Sequence, residues 1–213
     1  MGDQPTAEPP PAGLLLAAGA GRRMGRPKAL VELAGEPLVR RALRVLRDGG
    51  CAPLVVVLGA AAEQVAALLP SDVVAVVEPD WVEGMGASLR AGLAAVERLV
   101  PQPEAALVHL VDLPGVTAAA IARIGALSTP AVLARAGYTG TPAHPVLIGR
   151  SHWAGVARAA RGDAGARGYL AGRADVDLVE CADVADAHDV DTPDELADVL
   201  RKRRPGQPAA GSA

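Results

Sequence analysis

The sequence predicts a three-layer α/β/α fold around a mostly parallel sheet. Three observations carry that expectation. Short Val/Leu runs occur without polar alternation, as in strands covered on both faces. Between them lie segments with apolar residues at helical spacing, so that strands and helices take turns along the chain. The 213 residues are 50% hydrophobic but only 2% aromatic, with no Phe, so the core must be built from Ala, Val and Leu. That composition suits helices laid on a sheet better than an aromatic-layered sandwich.

The elements follow in order. Gly13–Ala18 (GLLLAA) is a short apolar run ending at Gly19, a buried strand feeding a turn. Pro37–Arg47 carries Leu38, Ala42, Leu43, Val45 and Leu46 on one helical face, and Gly49-Gly50 stops it. Leu54–Leu58 is a second buried strand, followed by an Ala-rich helix to Leu69 that Pro70 ends. Val73–Val77 is a third strand, Ser88–Leu99 a helix, Ala105–Val111 a fourth strand, and Thr117–Leu127 a helix capped by Thr117. Ala131–Ala134 and Pro145–Ile148 read as further strands, with Arg150–Arg161 and Ala164–Leu170 helical. Val176–Glu180 is the last strand, and Pro193–Arg203 the last helix, with Thr192 as N-cap and Pro193 at its first position. No repeat or composition break divides the chain. Residues 13–203 are expected to form one domain between low-complexity tails at 1–12 and 204–213.

Several function classes are excluded at this stage. A formal charge of −3 lacks the positive field that general nucleic-acid binding requires. Cys51 and Cys181 stand far apart with no CxxC or CxxH cluster, against a disulfide scaffold or zinc module and for a cytoplasmic setting. No long apolar stretch reads as a membrane span, and the opening MGDQPTAEPPPAG is acidic and Pro-rich where a signal peptide is basic, then apolar.

In an open parallel sheet, ligands sit beyond the carboxyl ends of strands. The first strand runs into Gly19-Ala20-Gly21-Arg22-Arg23-Met24-Gly25-Arg26-Pro27-Lys28. Such glycines let backbone N–H groups converge on phosphate oxygens. A dinucleotide fingerprint fails because Met24 stands where Gly is needed, and a Walker A loop fails because Lys28 lies between Pro27 and Ala29. Of 21 basic residues only Lys28 and Lys202 are lysine. A lone internal lysine ending a phosphate-type loop suggests that a compact point charge is wanted there.

The segment LLLAAGAGRRMGRPKAL resembles the opening of the MobA-like nucleotidyltransferases, more closely the molybdenum cofactor cytidylyltransferases. The resemblance implies a Rossmann-like fold of the nucleotide-diphospho-sugar transferase kind. The implied activity moves CMP from CTP onto the phosphate of molybdopterin and releases pyrophosphate. It also implies that Gly19, Gly21, Arg23, Gly25 and Lys28 cradle the triphosphate, while Ala17-Ala18-Gly19, rather than Ala-Gly-Gly, goes with CTP.

The later motifs follow the same pattern. Asp112-Leu113-Pro114 ends the fourth strand with a carboxylate facing the same crevice, where Mg²⁺ bridges protein to phosphates; the family's metal aspartate matches Asp112. His188-Asp189-Val190-Asp191-Thr192-Pro193 resembles a second metal segment, with either Asp189 or Asp191 as ligand; Asp191 alternatively serves only to start the last helix. Gly84 and Ser88, in the segment from Pro79 to Arg90, match family positions near the nucleobase. His144, before Pro145, matches the family's G-x-x-G-H-P, with Ala143 where Gly is usual. Gly162-Asp163-Ala164-Gly165-Ala166-Arg167 matches G-D-x-G-A-R, placing Asp163 and Arg167 by the pterin phosphate. His109 reads as a core histidine, and Trp153 as a packing anchor beside His152. A molybdoenzyme recipient follows from the resemblance alone. The alternatives are a GTP-dependent guanylyltransferase or sugar-phosphate nucleotidyltransferase of the same fold, and a maturation factor that binds cofactor without turnover.

Overall fold

A computed structural model of the chain describes residues 9–202. Most of the expected tails, residues 1–8 and 203–213, lie outside the described residues. Ala12 does not belong to a tail: it is fully buried and opens the first strand.

The elements are β1 (Ala12–Ala17), β2 (Glu32–Leu33), β3 (Glu36–Pro37), α1 (Leu38–Asp48), β4 (Leu54–Leu58), α2 (Ala62–Ala66), β5 (Val74–Val77) and α3 (Met85–Glu97). They continue with β6 (Ala105–Leu110), α4 (Ala118–Gly125), β7 (Leu133–Tyr138), β8 (Thr141–Gly149), α5 (Arg150–Ala159), α6 (Arg167–Leu170), β9 (Asp177–Glu180) and α7 (Pro193–Lys202). Seven strands form one sheet in the order β5-β4-β1-β6-β8-β7-β9. Only β8 runs against its neighbours; every other pairing is parallel. β2 and β3 make a separate small hairpin.

Strand alternation builds two cores. Leu15, Val56, Leu58 and Leu107 pack with Leu43, Leu46, Ile121 and Ile124 of α1 and α4 on one face. Leu14, Leu16, Val57 and Val108 pack with Leu89, Leu93, Trp153 and Val156 of α3 and α5 on the other. Burying each such side chain stabilises by roughly 1.5–3 kcal/mol relative to leaving it exposed. The expected three-layer, mostly parallel fold is therefore present.

The differences are local and have physical causes. The stretch from Leu133 to Gly149 is a long hairpin rather than two short strands around a loop. Its turn holds Thr139 at φ 51° and Gly140 at φ 80°, and both backbone N–H groups donate to Glu180, at 3.0 and 3.1 Å. Helix α3 starts at Met85, so Ser88 lies within it rather than at its cap. Thr117 caps α4 as expected, accepting from Ala120 N. At the head of α7, Thr192 Oγ1 accepts from Glu195 N while Glu195 accepts from Thr192 N, a reciprocal capping box.

From β1 the chain first adds β4 and β5 on one side, then places β6 on the other. The switch point therefore lies between the carboxyl ends of β1 and β6, where an open α/β sheet leaves a crevice for ligands.

Candidate active site

The loop after β1 closes on itself. Gly21 sits at φ 61°, and a Cβ there would stand 2.1 Å from the carbonyl oxygen of Arg26, so only glycine fits. Pro27 then opens a 3-10 turn over Lys28–Leu30 whose Ala29 is buried. That turn fixes the lysine backbone at the crevice. Across the switch point, Asp112 follows β6, and Val111 N donates to Leu16 O at 3.2 Å, holding the two loops side by side.

Asp191 comes from far along the chain and is stitched in by three contacts. Thr117 Oγ1 donates to Val184 O at 2.9 Å, Asp186 N to Gly115 O at 3.2 Å, and Val190 N to Asp112 O at 2.9 Å. Buried Val190 anchors the last of these. The consequence is a charge cluster: the Lys28 ammonium donates to Asp112 Oδ2 at 2.7 Å and also to Asp191 Oδ1, while Arg23 donates to Asp191 Oδ2. The Lys28 side chain is only 14% exposed. Burial pulls its pKa down, but the charges and hydrogen bonds of Asp112 and Asp191 outweigh that and hold it above the usual lysine value. The hydrogen bond from Lys28 holds Asp191 below the ordinary carboxylate range, against the opposing effect of burial. Asp112 Oδ1 is buried with no partner.

Two cavities share this cluster as a wall. The first, about 400 Å³, is lined by Ala18, Gly19, Gly21, Lys28, Gly84 and Ser88 among others. The second, about 640 Å³, is lined by His144, Arg167, Arg135, Asp189 and an apolar floor. Arg23, Asp112, Asp163 and Asp191 line both. Most of the expected site residues thus converge on one crevice. Two do not line either cavity: Ala17, whose side chain packs in the core on the α1 face because strand alternation turns it away, and Gly25, which closes the loop's turn onto Arg22 O. Of the two late aspartates, Asp191 meets Lys28, whereas Asp189 is exposed at the rim of the second cavity.

Gly84 lines the first cavity and also has a packing part. At φ 108°, its missing Cβ would lie 2.4 Å from Asp163 Oδ1 and 2.7 Å from the Gly162 carbonyl carbon. Its bareness lets the Gly162–Arg167 segment dock on the start of α3. Arg135, which sequence reasoning passed over, is the other addition to the site; the signal was an arginine amid the apolar run AVLARAG.

A crevice at the switch point, walled by a glycine-rich loop, one lysine, a strand-end carboxylate and a second carboxylate from ahead of the last helix, defines a nucleotide-handling α/β protein. The chain belongs to the MobA-like NTP transferase domain family, which matches residues 13–178. It is 39% identical over 212 residues to nicotine blue oxidoreductase of Paenarthrobacter nicotinovorans, covering 94% of this chain and 100% of the relative. It is 37% identical over 108 residues to a probable molybdenum cofactor guanylyltransferase of Opitutus terrae, about half of each chain (51% and 50%). Among solved structures, Rv0371c of Mycobacterium tuberculosis superposes with a TM-score of 0.77 at 32% identity, covering 92% of this chain and 100% of that one. Rv0371c in complex with manganese gives 0.71 at 28% identity, covering 90% and 98%. Among the described residues, no helix is long and apolar enough to cross a membrane.

Proposed function

We propose that the chain moves the nucleotidyl group of a nucleoside triphosphate onto the phosphate of molybdopterin and releases pyrophosphate, with CTP as the donor. One observation carries this reading: Lys28 and Asp112 stand 2.7 Å apart at the switch point, between a cavity walled by the glycine loop and a second cavity for an acceptor. In this reading the triphosphate lies along Gly19–Gly21, where a Cβ at Gly19 meets no protein atom within 4 Å, leaving room for phosphate oxygens. Lys28 and Arg23 balance the charge of the leaving pyrophosphate. Ser88 and Gly84 flank the end of the cavity where the base lies.

The donor set also fits Mg²⁺. Asp112 offers a buried, unpartnered oxygen and Asp191 a second carboxylate. Such a cation takes one or two carboxylates and fills its shell with phosphate oxygens and water. When bound, Mg²⁺ supplies charge neutralisation of the phosphates.

The attacking group is a phosphate already ionised near neutral pH, so no strong general base is needed. The work left to the protein is positioning and electrostatics. In this reading Arg167 and His144, which line the second cavity, receive the acceptor. The Ala17-Ala18-Gly19 signature supports CTP; the guanylyltransferase relative makes GTP the competitor to test. Incubation with Mg²⁺, molybdopterin and CTP, GTP or ATP in turn, followed by weighing the product, decides both. A CMP adduct with matching pyrophosphate is expected, and no pyrophosphate from any nucleotide refutes the proposal.

The match to nicotine blue oxidoreductase, over 94% of this chain and 100% of the relative, favours a second reading in which the same crevice carries out a redox reaction on nicotine blue. Oxidation of a reduced nicotinamide in the presence of nicotine blue, without pyrophosphate release from CTP or GTP, would establish it instead.

A further inference from the structure

Resting on the transfer reading for what the acceptor is, but not for where it binds, we propose that Arg135 and Arg167 form a paired-guanidinium site for a phosphate monoester. Arg135 is the residue that selects phosphate over a neutral acceptor.

Register places Arg135 on the cavity face of the sheet. Val108 on β6 lies opposite Val146 on β8, which lies opposite Arg135 on β7, which lies opposite Leu178 on β9. Both valines line the second cavity, and the pleat puts facing residues on one side. Arg135 is thus a cation in an otherwise apolar row. It is half-buried, and its Nε is buried with no partner. Among the described residues, Arg23, Arg44, Arg47, Arg90, Arg123, Arg173 and Arg201 each pair with a carboxylate, and Arg135 is the arginine with a buried side-chain nitrogen that has no partner. No ion pair joins Arg135 or Arg167 to a carboxylate among the described residues. Burial, and then the charge of Arg167, pull the Arg135 pKa below its usual value.

Two cations lining one cavity, one with an unsatisfied buried N–H, are costly unless something anionic joins them. Of the carboxylates that line the cavity, Asp191 and Oδ2 of Asp112 bind Lys28, and neither Asp163 nor Asp189 forms an ion pair with Arg135 or Arg167 among the described residues. His144 lies within the field of Asp112, Arg135 and Arg167; burial lowers its pKa to about 4, so it adds no third positive charge near neutral pH. A phosphate dianion matches two guanidinium forks in charge and in planar donor geometry, whereas a hydroxyl matches neither. Leu89, Val108, Val146, Ile148 and Leu170 floor the rest of the cavity, so the body attached to the phosphate is apolar or flat.

The test uses the full chain without nucleotide and phenyl phosphate as probe, read by phosphorus NMR line broadening. Wild type is expected to bind saturably, Arg135→Gln to weaken binding about tenfold or more, and Arg135→Lys to fall between them. Lys28→Ala should keep the affinity within about threefold. Arg135→Gln should melt no lower than wild type, because it removes a desolvated charge; a purely structural arginine would lower the melting temperature when replaced. Absence of binding to wild type, unaltered binding to Arg135→Gln, or loss in Lys28→Ala alone overturns the site. Pyrophosphate release separates the two proposals. Arg135-dependent binding without release from any nucleotide leaves the anion site standing and removes the transfer reading. Release with an unchanged acceptor KM in Arg135→Gln does the reverse.

Discussion

Replacing Lys28 with Ala strips the ammonium from between two carboxylates. Exposed ion pairs contribute about 0–1 kcal/mol, while orphaning one member of a buried pair costs about 3–5 kcal/mol. The side chains of Lys28, Asp112 and Asp191 are 14%, 23% and 14% exposed, nearer the buried end. The expected loss at pH 7 is therefore about 2–3 kcal/mol, or a fall in Tm of roughly 5–10 °C for a chain of this size. The pH dependence carries a sign. Asp191's folded pKa is depressed, so its share is present above the unfolded carboxylate value and lost as pH falls through the lower folded one. Lys28's is raised, so its share holds below the unfolded lysine value and is lost only as pH rises through the higher folded one. The stability gap between variant and wild type should thus be widest near neutrality and narrow below about pH 4. Chemical denaturation at stepped pH measures it, and a pyrophosphate-release assay should fall by about 10²–10³. A variant as stable as wild type at pH 7 and equally active would refute the shared clamp.

Three further outcomes are expected. Asp112→Asn, nearly isosteric, should keep the fold by circular dichroism while pyrophosphate release falls by about 10²–10³. Gly84→Ala should lose about 2–3 kcal/mol in urea unfolding, since the new methyl meets Gly162 and Asp163 at a φ of 108°. His109 is fully buried, and burial lowers its pKa to about 3. Its neutral form is therefore favoured on folding, and stability drops as pH falls from about 6.5 toward that folded value. His109→Leu should flatten the decline over that window; an unchanged acid profile would argue against a buried neutral imidazole.

The part of the site that was legible in sequence is the part that is local. The glycine loop, Pro27-Lys28 and the strand-end Asp112 announce themselves through residues adjacent in the chain, and the apolar runs that present them fix β1 and β6. What stayed hidden depends on distant partners. That Asp191 rather than Asp189 reaches Lys28 depends on the bond from Val190 N to Asp112 O. The hairpin turn at Thr139-Gly140 needed the Glu180 carboxylate, because a β-branched residue at positive φ is disfavoured on its own. Arg135 was unreadable because nothing in AVLARAG tells which face of which strand it occupies until the sheet order is known.

The three stitches that bring Asp191 home also set a schedule. A ribosome delivers β1, β4, β5 and β6 before any of the hairpin, and Asp191 emerges beyond the residues 13–178 that the family shares. A nascent chain therefore holds its glycine loop and Asp112 while half of the lysine's counter-charge is still unsynthesised. The Lys28–Asp191 pair can form only after the segment ahead of the final helix is made, so a fragment cut short at residue 178 would span the family match and lack that pair.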